Sequence, residues 1–543
     1  MTDPAADLVG ADGAIEAMER TVAAATSRLV ELGGVDKNQT LAYELAHAAS
    51  ATAVARAALR YAIHGELEAR LACAFIADAA AVLSATTTGR EALFGVDAHW
   101  LDPVRGFVAA CLEPDFVGAL AETPGPSHLD EDFTLVADTF HRFAAEQVRP
   151  HAEHVHRTNG DIPEALISGL AELGGLGLSV PEAYGGFASG GEHDYLGMVV
   201  ATEELTWGSL GIGGSLITRP EILTRALVNG GTEAQRARWL PRLATGEQLA
   251  AVAVTEPDFG SDVAGISTMA TRADAGWVLT GTKTWCTFAA RATVLMLLAR
   301  TDPDRSAGHR GLSLFLVEKP VGDAHGFRFD QPGVDGRGPG RLEGRPIDTI
   351  GYRGMHSYEL SLEDWFVPDD CLVGGDEGLG RGFYLQMGGF ENGRIQTAAR
   401  ALGVMQAAYD AAVAYARDRS VFGASLLDYE LSRVKLGRMA AVIQCARQFS
   451  YEVARTMATG DGSLQASMAK AYVCRAAEWV TREAMQLHGG MGYAEEYPVS
   501  RYFVDARVLS IFEGADETLC LKVIARRLAE QHARRPSSGA SRS

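Results

Sequence analysis

Apolar residues recur at helical spacing through most of the chain. In the Ala-rich region Leu41–Leu83 this period predicts helices. Shorter segments of the same kind follow at Phe133–Gln147, Ile162–Leu173 and Tyr195–Leu205. After Phe383 the period returns until about Leu528 and suits a helix bundle, with predicted helices at Leu385–Val404, Met405–Ser420, Tyr429–Thr459 and Leu464–Leu487.

The middle of the chain has a different pattern. Gly, Asp and Pro separate short β-rich runs, which predict a small antiparallel domain and lie at Leu249–Val254, Trp277–Gly281, Val294–Ala299 and Leu312–Val317. The stretch Asp330–Pro346 is rich in Gly, Pro and Arg, so it predicts a long loop within this domain.

The predicted fold is therefore mainly α with a middle β domain. A breaker cluster at Glu122–His128 predicts a linker after an N-terminal helical extension. The predicted boundaries are 1–125 for the extension, 131–249 for a helical domain, 250–367 for the β domain, 368–533 for the bundle and 534–543 for a disordered tail.

Charge and cysteine content narrow the class of protein. The net charge is −20, so the surface repels nucleic-acid phosphates and anionic lipid, and we expect neither partner. The seven cysteines are scattered without a CxxC pair, which favours a reduced, cytoplasmic protein. The acidic N-terminus does not read as a secretory signal, and the sequence indicates no apolar run of membrane length.

The first chemical motif is Ala253-Val-Thr-Glu-Pro-Asp-Phe-Gly-Ser-Asp262. Thr255 and Ser261 offer hydroxyls on a loop beside a predicted strand, which suits the polar edge of a ring cofactor or a pyrophosphate. For any single residue, a surface turn between strands is the favoured alternative. The complete ten-residue string favours a binding loop.

The second motif is Gly281-Thr-Lys-Thr-Trp-Cys-Thr-Phe288. Trp285 and Thr287 alternate along a predicted strand, so they point to one face, where an indole can stack on a flat ring and a hydroxyl can bond its edge. A hairpin with a core Trp is the alternative.

The third motif, Gln486-Leu-His-Gly-Gly-Met-Gly-Tyr493, ends a predicted helix. Paired glycines let the backbone approach a phosphate or adenine closely, but they also simply end helices. The string is not GxGxxG and it follows a helix, so a Rossmann site does not fit.

The fourth motif is Asp505-Ala-Arg-Val-Leu-Ser-Ile-Phe-Glu-Gly514. Glu513 follows the apolar pair Ile511 and Phe512, and a carboxylate in apolar surroundings is a better base. A solvent-facing Glu at a helix end is the alternative. The histidines 151, 154 and 156 lack a completing carboxylate or Cys at metal spacing, so we expect no metal site.

The four motifs occur in this order at family-like spacings, together with Val180–Gly186 and Arg419–Gly423. As a set they resemble the acyl-CoA dehydrogenase family over roughly residues 131–530. The resemblance implies a helical domain, a β-barrel-like middle domain and a four-helix bundle, with bound FAD, a homodimer or homotetramer, and an electron-transfer flavoprotein as electron acceptor.

The same resemblance implies roles for individual residues. Positions matching flavin contacts are Val254, Thr255, Ser261, Trp285 and Thr287. Positions matching other FAD contacts, in part across a subunit boundary, are Arg419, Phe422, Gln486, Gly489, Gly490, Ala515 and Glu517. Positions matching the acyl-CoA site are Ser261, Glu391, Arg394 and Gly514.

Glu513 matches the family's catalytic base, which removes the α-hydrogen as a proton while the β-hydrogen leaves as hydride to the flavin. Some family members carry the base at the position of Gly393, which cannot serve here.

Within the family, three features resemble the branch that oxidises (2S)-methylsuccinyl-CoA to mesaconyl-CoA in the ethylmalonyl-CoA pathway. They are the N-terminal extension and the strings Gly351–Leu360 and Arg394–Gly403. A substrate with a second carboxylate needs a cation or several donors, and Arg219 is a candidate, although a surface arginine is at least as good an interpretation.

Other functions remain open at this point. One is a short- or branched-chain acyl-CoA dehydrogenase of different specificity, and another is an acyl-CoA oxidase, which would form peroxide. A non-catalytic DNA-binding relative is a remote alternative, which the net charge of −20 opposes.

Overall fold

The computed structural model describes residues 6–323, 325–458 and 462–534. The predicted disordered tail lies outside these residues except for Arg534, which ends the last helix. The α-helices are α1 (Leu8–Glu31), α2 (Gln39–Tyr61), α3 (Glu66–Thr87), α4 (Glu91–Phe94), α5 (Arg105–Cys111), α6 (Pro114–Gly118), α7 (Glu131–Phe143), α8 (Arg149–Thr158), α9 (Glu164–Glu172), α10 (Glu192–Gly208), α11 (Thr218–Gly230), α12 (Glu233–Ala244), α13 (Gly382–Asp418), α14 (Glu430–Met457), α15 (Ser463–Leu487), α16 (Pro498–Leu509), α17 (Asp516–Thr518) and α18 (Ala525–Arg534).

The strands are β1 (Ala250–Ala253), β2 (Met269–Ala273), β3 (Gly276–Lys283), β4 (Val294–Arg300), β5 (Leu312–Glu318), β6 (Phe327–Gln331), β7 (Gly340–Ile347), β8 (Ser357–Pro368), β9 (Ser420–Val421) and β10 (Ala424–Ser425). The chain forms two compact units: one contains residues 133–396, and the other contains residues 1–132 together with 397–543. The division falls inside α13.

The unit of residues 133–396 is built on one sheet, with strand order β1-β4-β2-β3-β8-β7-β6 and β5 paired to β4. The sheet is mixed, since β1 runs parallel to β4, so the predicted purely antiparallel domain was wrong in this respect. Apolar side chains of α11 and α12, such as Leu227 and Trp239, pack with Leu298 and Leu314 of the sheet. Thr232 and Gln235 form a capping box that begins α12.

The predicted loop Asp330–Pro346 is mostly strand. Only residues 332–339 lie between β6 and β7, and β7 pairs with β8 from Arg341↔Glu363 to Ile347↔Ser357. Leu342 and Gly344 are buried between more exposed neighbours, so the alternation typical of a strand was present. The many Gly, Pro and Arg residues hid that alternation.

In the other unit, the N-terminal extension packs on the bundle helices. The OH of Tyr409 in α13 donates to the carbonyl of Ala121, and Arg60 of α2 pairs with Glu452 of α14. The predicted linker is also fixed, because Gln444 donates to the Pro126 carbonyl at 2.6 Å. Residues 122–128 are therefore held against the bundle by hydrogen bonds.

Two helices differ from the sequence predictions. The segments Leu385–Val404 and Met405–Ser420 form one continuous helix, α13, because the buried face continues through Leu402, Met405 and Tyr409 without a break. By length and composition alone, α3 is apolar enough to span a membrane, which the sequence reading overlooked. Within the described residues, 61% of its apolar window is buried inside the protein.

Candidate active site

A buried ion pair joins the first two motifs. Lys283, the last residue of β3, places its Nζ 2.9 Å from Oε1 of Glu256 and 3.0 Å from the carbonyl of Val254. The Glu256 carboxylate also accepts bonds from the backbone N–H groups of Ser267 and Thr268. Burial alone would raise the pKa of Glu256, but the Lys283 charge and these bonds lower it to about 2.

The loop after β3 is held against the first motif. The N–H of Thr284 donates to the carbonyl of Thr255 at 2.8 Å. Trp285 has a left-handed backbone (φ 57°) and is 56% exposed, whereas Thr287 is buried. The prediction that these two residues share one strand face was therefore wrong, because the strand ends at Lys283 and a turn follows.

The string Gly351–Leu360 folds onto this same loop. The N–H of Phe288 donates to the carbonyl of His356 at 2.8 Å, and the hydroxyl oxygens of Thr287 and Ser357 lie 3.0 Å apart. The sequence features that suggested flavin contacts and those that suggested the substrate branch thus occupy one region of this unit.

Arg219 is close to that region and is not a surface residue. It lies in α11 and is only 6% exposed, with Nη2 placed 3.4 Å from the hydroxyl of Tyr352. Burial raises the pKa of the Cys286 thiol to about 12, and the positive charges of Lys283 and Arg219 oppose this shift. A cation, a phenol and the loop carrying Trp285 are therefore neighbours.

The remaining predicted residues of this unit have mixed positions. Val254 is buried, Thr255 is half-buried, and Ser261 is exposed on the loop that follows β1. Arg394 is half-buried in the first part of α13. Glu391 lies in the same helix, but its side chain is outside the described residues.

In the other unit, Glu513 lies in the loop after α16. Its backbone is left-handed (φ 54°), and that of Gly514 is as well (φ 97°). Buried Lys470 of α15 donates to the carbonyl of Gly514 at 2.7 Å. The guanidinium carbon of Arg400 lies 4.7 Å from the ring centroid of Phe512. A non-Gly residue persists in this conformation only where its surroundings fix it, and these contacts do so.

Ala515 and Glu517 line an open cleft of about 390 Å³. Arg475, Arg507 and Tyr43 also line it. Three carboxylates, Glu478, Asp516 and Glu517, line the same cleft, and Arg507 is paired with Glu478 at 3.4 Å. The charges lining this cleft are therefore mixed rather than uniformly basic.

The other predicted FAD contacts gather at one end of the bundle. The rings of Tyr415 in α13 and His488 at the end of α15 stack with centroids 4.2 Å apart. This contact places the turn carrying Arg419 and Phe422 near the segment carrying Gln486, Gly489 and Gly490, all of which are exposed. Phe422 is 100% exposed, with φ 51°.

One cluster that the sequence did not suggest combines His47, Asp516 and Cys520. Their donor atoms all lie within 4.8 Å of one another. Asp516 forms hydrogen bonds with both Tyr43 and His47. Burial raises the pKa of the Cys520 thiol, which favours the neutral form. The three residues therefore form a hydrogen-bonded network with Tyr43.

Known proteins match this chain over the two units. The acyl-CoA dehydrogenase N-terminal domain matches residues 130–247, the middle domain residues 251–365 and the C-terminal domain residues 380–529. The chain therefore belongs to the acyl-CoA dehydrogenase family, and it is an FAD-dependent oxidoreductase with acyl-CoA dehydrogenase activity.

Individual relatives agree with this membership. The chain is 44% identical over 410 residues to (2S)-methylsuccinyl-CoA dehydrogenase of Cereibacter sphaeroides, covering 75% of this chain and 71% of the relative. It is 34% identical to the short-chain specific acyl-CoA dehydrogenase of Bos taurus, covering 72% and 88%. Butyryl-CoA dehydrogenase from Megasphaera elsdenii superposes with a TM-score of 0.66 at 30% identity, covering 74% of this chain and 100% of that one.

A glutaryl-CoA dehydrogenase from Mycobacterium smegmatis was solved in complex with FADH2. It superposes with a TM-score of 0.64 at 27% identity, covering 75% of this chain and 97% of that one. The expected fold, family and cofactor are thus confirmed.

Sequence reasoning identified the motifs but missed the side chains that support them. Glu256 lies in the first motif and Lys283 in the second, and two opposite charges in motifs expected to act together could have suggested an ion pair. Lys470, Tyr43 and His47 carry no such signal, because they meet the Glu513 loop only through tertiary packing.

Proposed function

We propose that this enzyme oxidises the short dicarboxylic thioester (2S)-methylsuccinyl-CoA to mesaconyl-CoA, a step of the ethylmalonyl-CoA pathway. The observation that carries the proposal is the buried Arg219 beside Tyr352, in the unit that carries the predicted flavin loop. The 44% identity to a methylsuccinyl-CoA dehydrogenase supports it as well.

Glu513 acts as the base in this reaction. Its carboxylate takes the α-proton of the thioester, and its backbone N–H donates to the thioester carbonyl, where negative charge develops. Lys470 fixes the carbonyl of Gly514, so the backbone after the base keeps its direction. FAD, when bound, accepts the hydride from the β-carbon.

Arg219 and Tyr352 bind the second carboxylate of the substrate. A carboxylate entering a buried site loses its hydration, and a guanidinium with a phenol OH replaces that hydration by charge-assisted bonds. A neutral acyl chain gains nothing from this pair. The pair therefore favours a dicarboxylic acyl group over butyryl- or isobutyryl-CoA.

The test is substrate profiling of wild type and two variants with an artificial electron acceptor. Arg219→Met removes the proposed partner of the carboxylate, so kcat/KM for methylsuccinyl-CoA is expected to fall at least about tenfold, while butyryl-CoA turnover is retained. The matched control is Arg225→Met in the same helix, where Arg225 lies 4.6 Å over the Tyr195 ring. Equal losses in the two variants, or a wild-type preference for butyryl-CoA, would refute the carboxylate site.

The remaining roles belong to the same proposal. The exposed residues Arg419, Phe422, Gln486, Gly489 and Gly490 bind the ADP part of FAD held by a second copy of the chain, in a homodimer or homotetramer. Ala515 and Glu517 bind FAD, while Ser261, Glu391, Arg394 and Gly514 contact acyl-CoA. An electron-transfer flavoprotein in the cytoplasm takes the electrons. Peroxide formation during turnover would instead identify an oxidase.

A further inference from the structure

Two side chains of the N-terminal extension converge on one carboxylate of the bundle. Tyr43 and His47 are one turn apart in α2, so they lie on the same face of that helix. The OH of Tyr43 is 2.6 Å from Oδ2 of Asp516, and Nε2 of His47 is 3.0 Å from the same oxygen. Their rings also meet edge to face, with centroids 4.7 Å apart.

Asp516 is part of the loop that carries Glu513. It lies three residues after Glu513, is only 8% exposed, and its N–H donates to the carbonyl of Ser510 at 3.0 Å, which closes the loop. Lys470, a bundle residue, donates a hydrogen bond to the carbonyl of Gly514 in this loop. Tyr43 and His47 bind the same loop through Asp516, and both lie in the N-terminal extension, outside the three matched family domains.

The ionisation of Asp516 strengthens its contact with Tyr43 and His47. Burial would raise the pKa of Asp516, but the hydrogen bond and charge of His47 and the hydrogen bond of Tyr43 lower it, so the carboxylate stays ionised. Hydrogen bonds to an ionised, buried group are stronger than those between neutral groups. The left-handed backbone of Glu513 (φ 54°) is unfavourable for a residue with a Cβ, so attachments on both sides of it help to retain this conformation.

We propose that Tyr43 and His47 are positioning residues of the reaction: by fixing Asp516, they hold the Glu513 carboxylate in the geometry needed for α-proton removal. The extension is then part of the working active site. This inference rests on the assignment of Glu513 as the base. Small displacements of a catalytic group reduce rates strongly, up to about 100-fold for 1 Å.

The experiment compares Tyr43→Phe and His47→Gln with Tyr61→Phe in the full-length holoenzyme. Tyr61 is on the same helix and donates to the Pro126 carbonyl at 2.9 Å, so its variant loses a tyrosine hydrogen bond away from the Glu513 loop. We expect kcat to fall about 5- to 50-fold in the first two variants, with KM and FAD content unchanged. Tyr61→Phe keeps the wild-type kcat.

A second readout separates positioning from loss of stability. With α-deuterated substrate, the isotope effect on flavin reduction is expected to rise in Tyr43→Phe and His47→Gln, because proton removal becomes slower. It stays at the wild-type value in Tyr61→Phe, even if all three variants melt at lower temperatures. Wild-type kcat in the first two variants, or an equal loss in Tyr61→Phe, would overturn the inference.

The two assignments fail in different ways. If Glu513→Gln is inactive while Tyr43→Phe and His47→Gln turn over normally, only the positioning role is wrong. If Glu513→Gln keeps full activity, the base is misassigned, and the positioning role is overturned with it.

Discussion

The Glu256–Lys283 pair links the two motifs for which we propose flavin contacts. Both side chains are buried, and Glu256 accepts bonds from Lys283, Ser267 and Thr268. Removing one partner of a buried pair leaves an uncompensated charge, which costs about 3–5 kcal/mol. The pair fixes the loop of Thr255 against the strand that leads to Trp285.

This pair predicts a specific dependence of stability on pH. The pKa of Glu256 is lowered from 4.5 to about 2 in the folded protein, so its contribution is complete above pH 4.5 and is lost as the pH falls towards 2. The melting temperature of the wild type is therefore expected to fall between pH 5 and pH 3 more steeply than that of Glu256→Gln. Parallel melting curves for the two proteins would show that this carboxylate does not titrate as described.

At the residue scale, the sequence predicted residue types better than their orientation. The first two motifs supplied Thr255 and Trp285 as candidates, and the structure shows that their loops are neighbours. The expected common face of Trp285 and Thr287 failed, because strand periodicity cannot indicate where a strand stops and a left-handed turn begins. Arg219 was left undecided between surface and site, since burial depends on long-range packing.

At the scale of elements, the contact between α14 and α6 depends on a glycine. A Cβ at Gly437 in α14 would approach the carbonyl oxygen of Val117 in α6 too closely to fit. Helix propensity alone favours Ala over Gly by about 1 kcal/mol, whereas overpacking costs about 1–3 kcal/mol. The steric effect is therefore expected to win.

Gly437→Ala should lower the melting temperature by a few degrees. The control is Gly388→Ala in α13, where the nearest atom to a new Cβ is Nδ2 of Asn229 at 3.7 Å, an ordinary contact. That variant should melt at the wild-type temperature or slightly above it. If Gly437→Ala is the more stable of the two, the extension is not packed on α14 as closely as described.

Element prediction succeeded where the apolar period was long and uninterrupted. The segment Leu464–Leu487 was predicted nearly to its ends, since α15 is Ser463–Leu487. Element prediction failed where composition and periodicity disagreed. In β7 the Gly, Pro and Arg content favoured a loop, although the buried positions alternate as in a strand. In α13 a division was predicted at Val404, although the buried face is continuous there.

For the whole molecule, the sequence predicted the family and the cofactor because four spaced motifs are far more specific than any one of them. It could not predict what the extension contacts. A helical period shows that one face of α2 is buried, but not that Tyr43 and His47 on it meet Asp516. That contact joins residues 473 and 469 positions apart in the chain.

The net charge of −20 fits an enzyme of small-molecule metabolism more than a nucleic-acid binder. In the proposed mechanism the chemistry depends on one carboxylate, Glu513. Lys470 donates to the carbonyl of the next residue, Gly514, and Asp516 follows in the same loop.

The most direct test is anaerobic flavin reduction by methylsuccinyl-CoA in Glu513→Gln. The amide keeps the size of the side chain but cannot take a proton, so the variant is expected to bind FAD and remain yellow. Its flavin should be bleached at least about 100-fold more slowly than in the wild type. Bleaching at the wild-type rate would contradict the account.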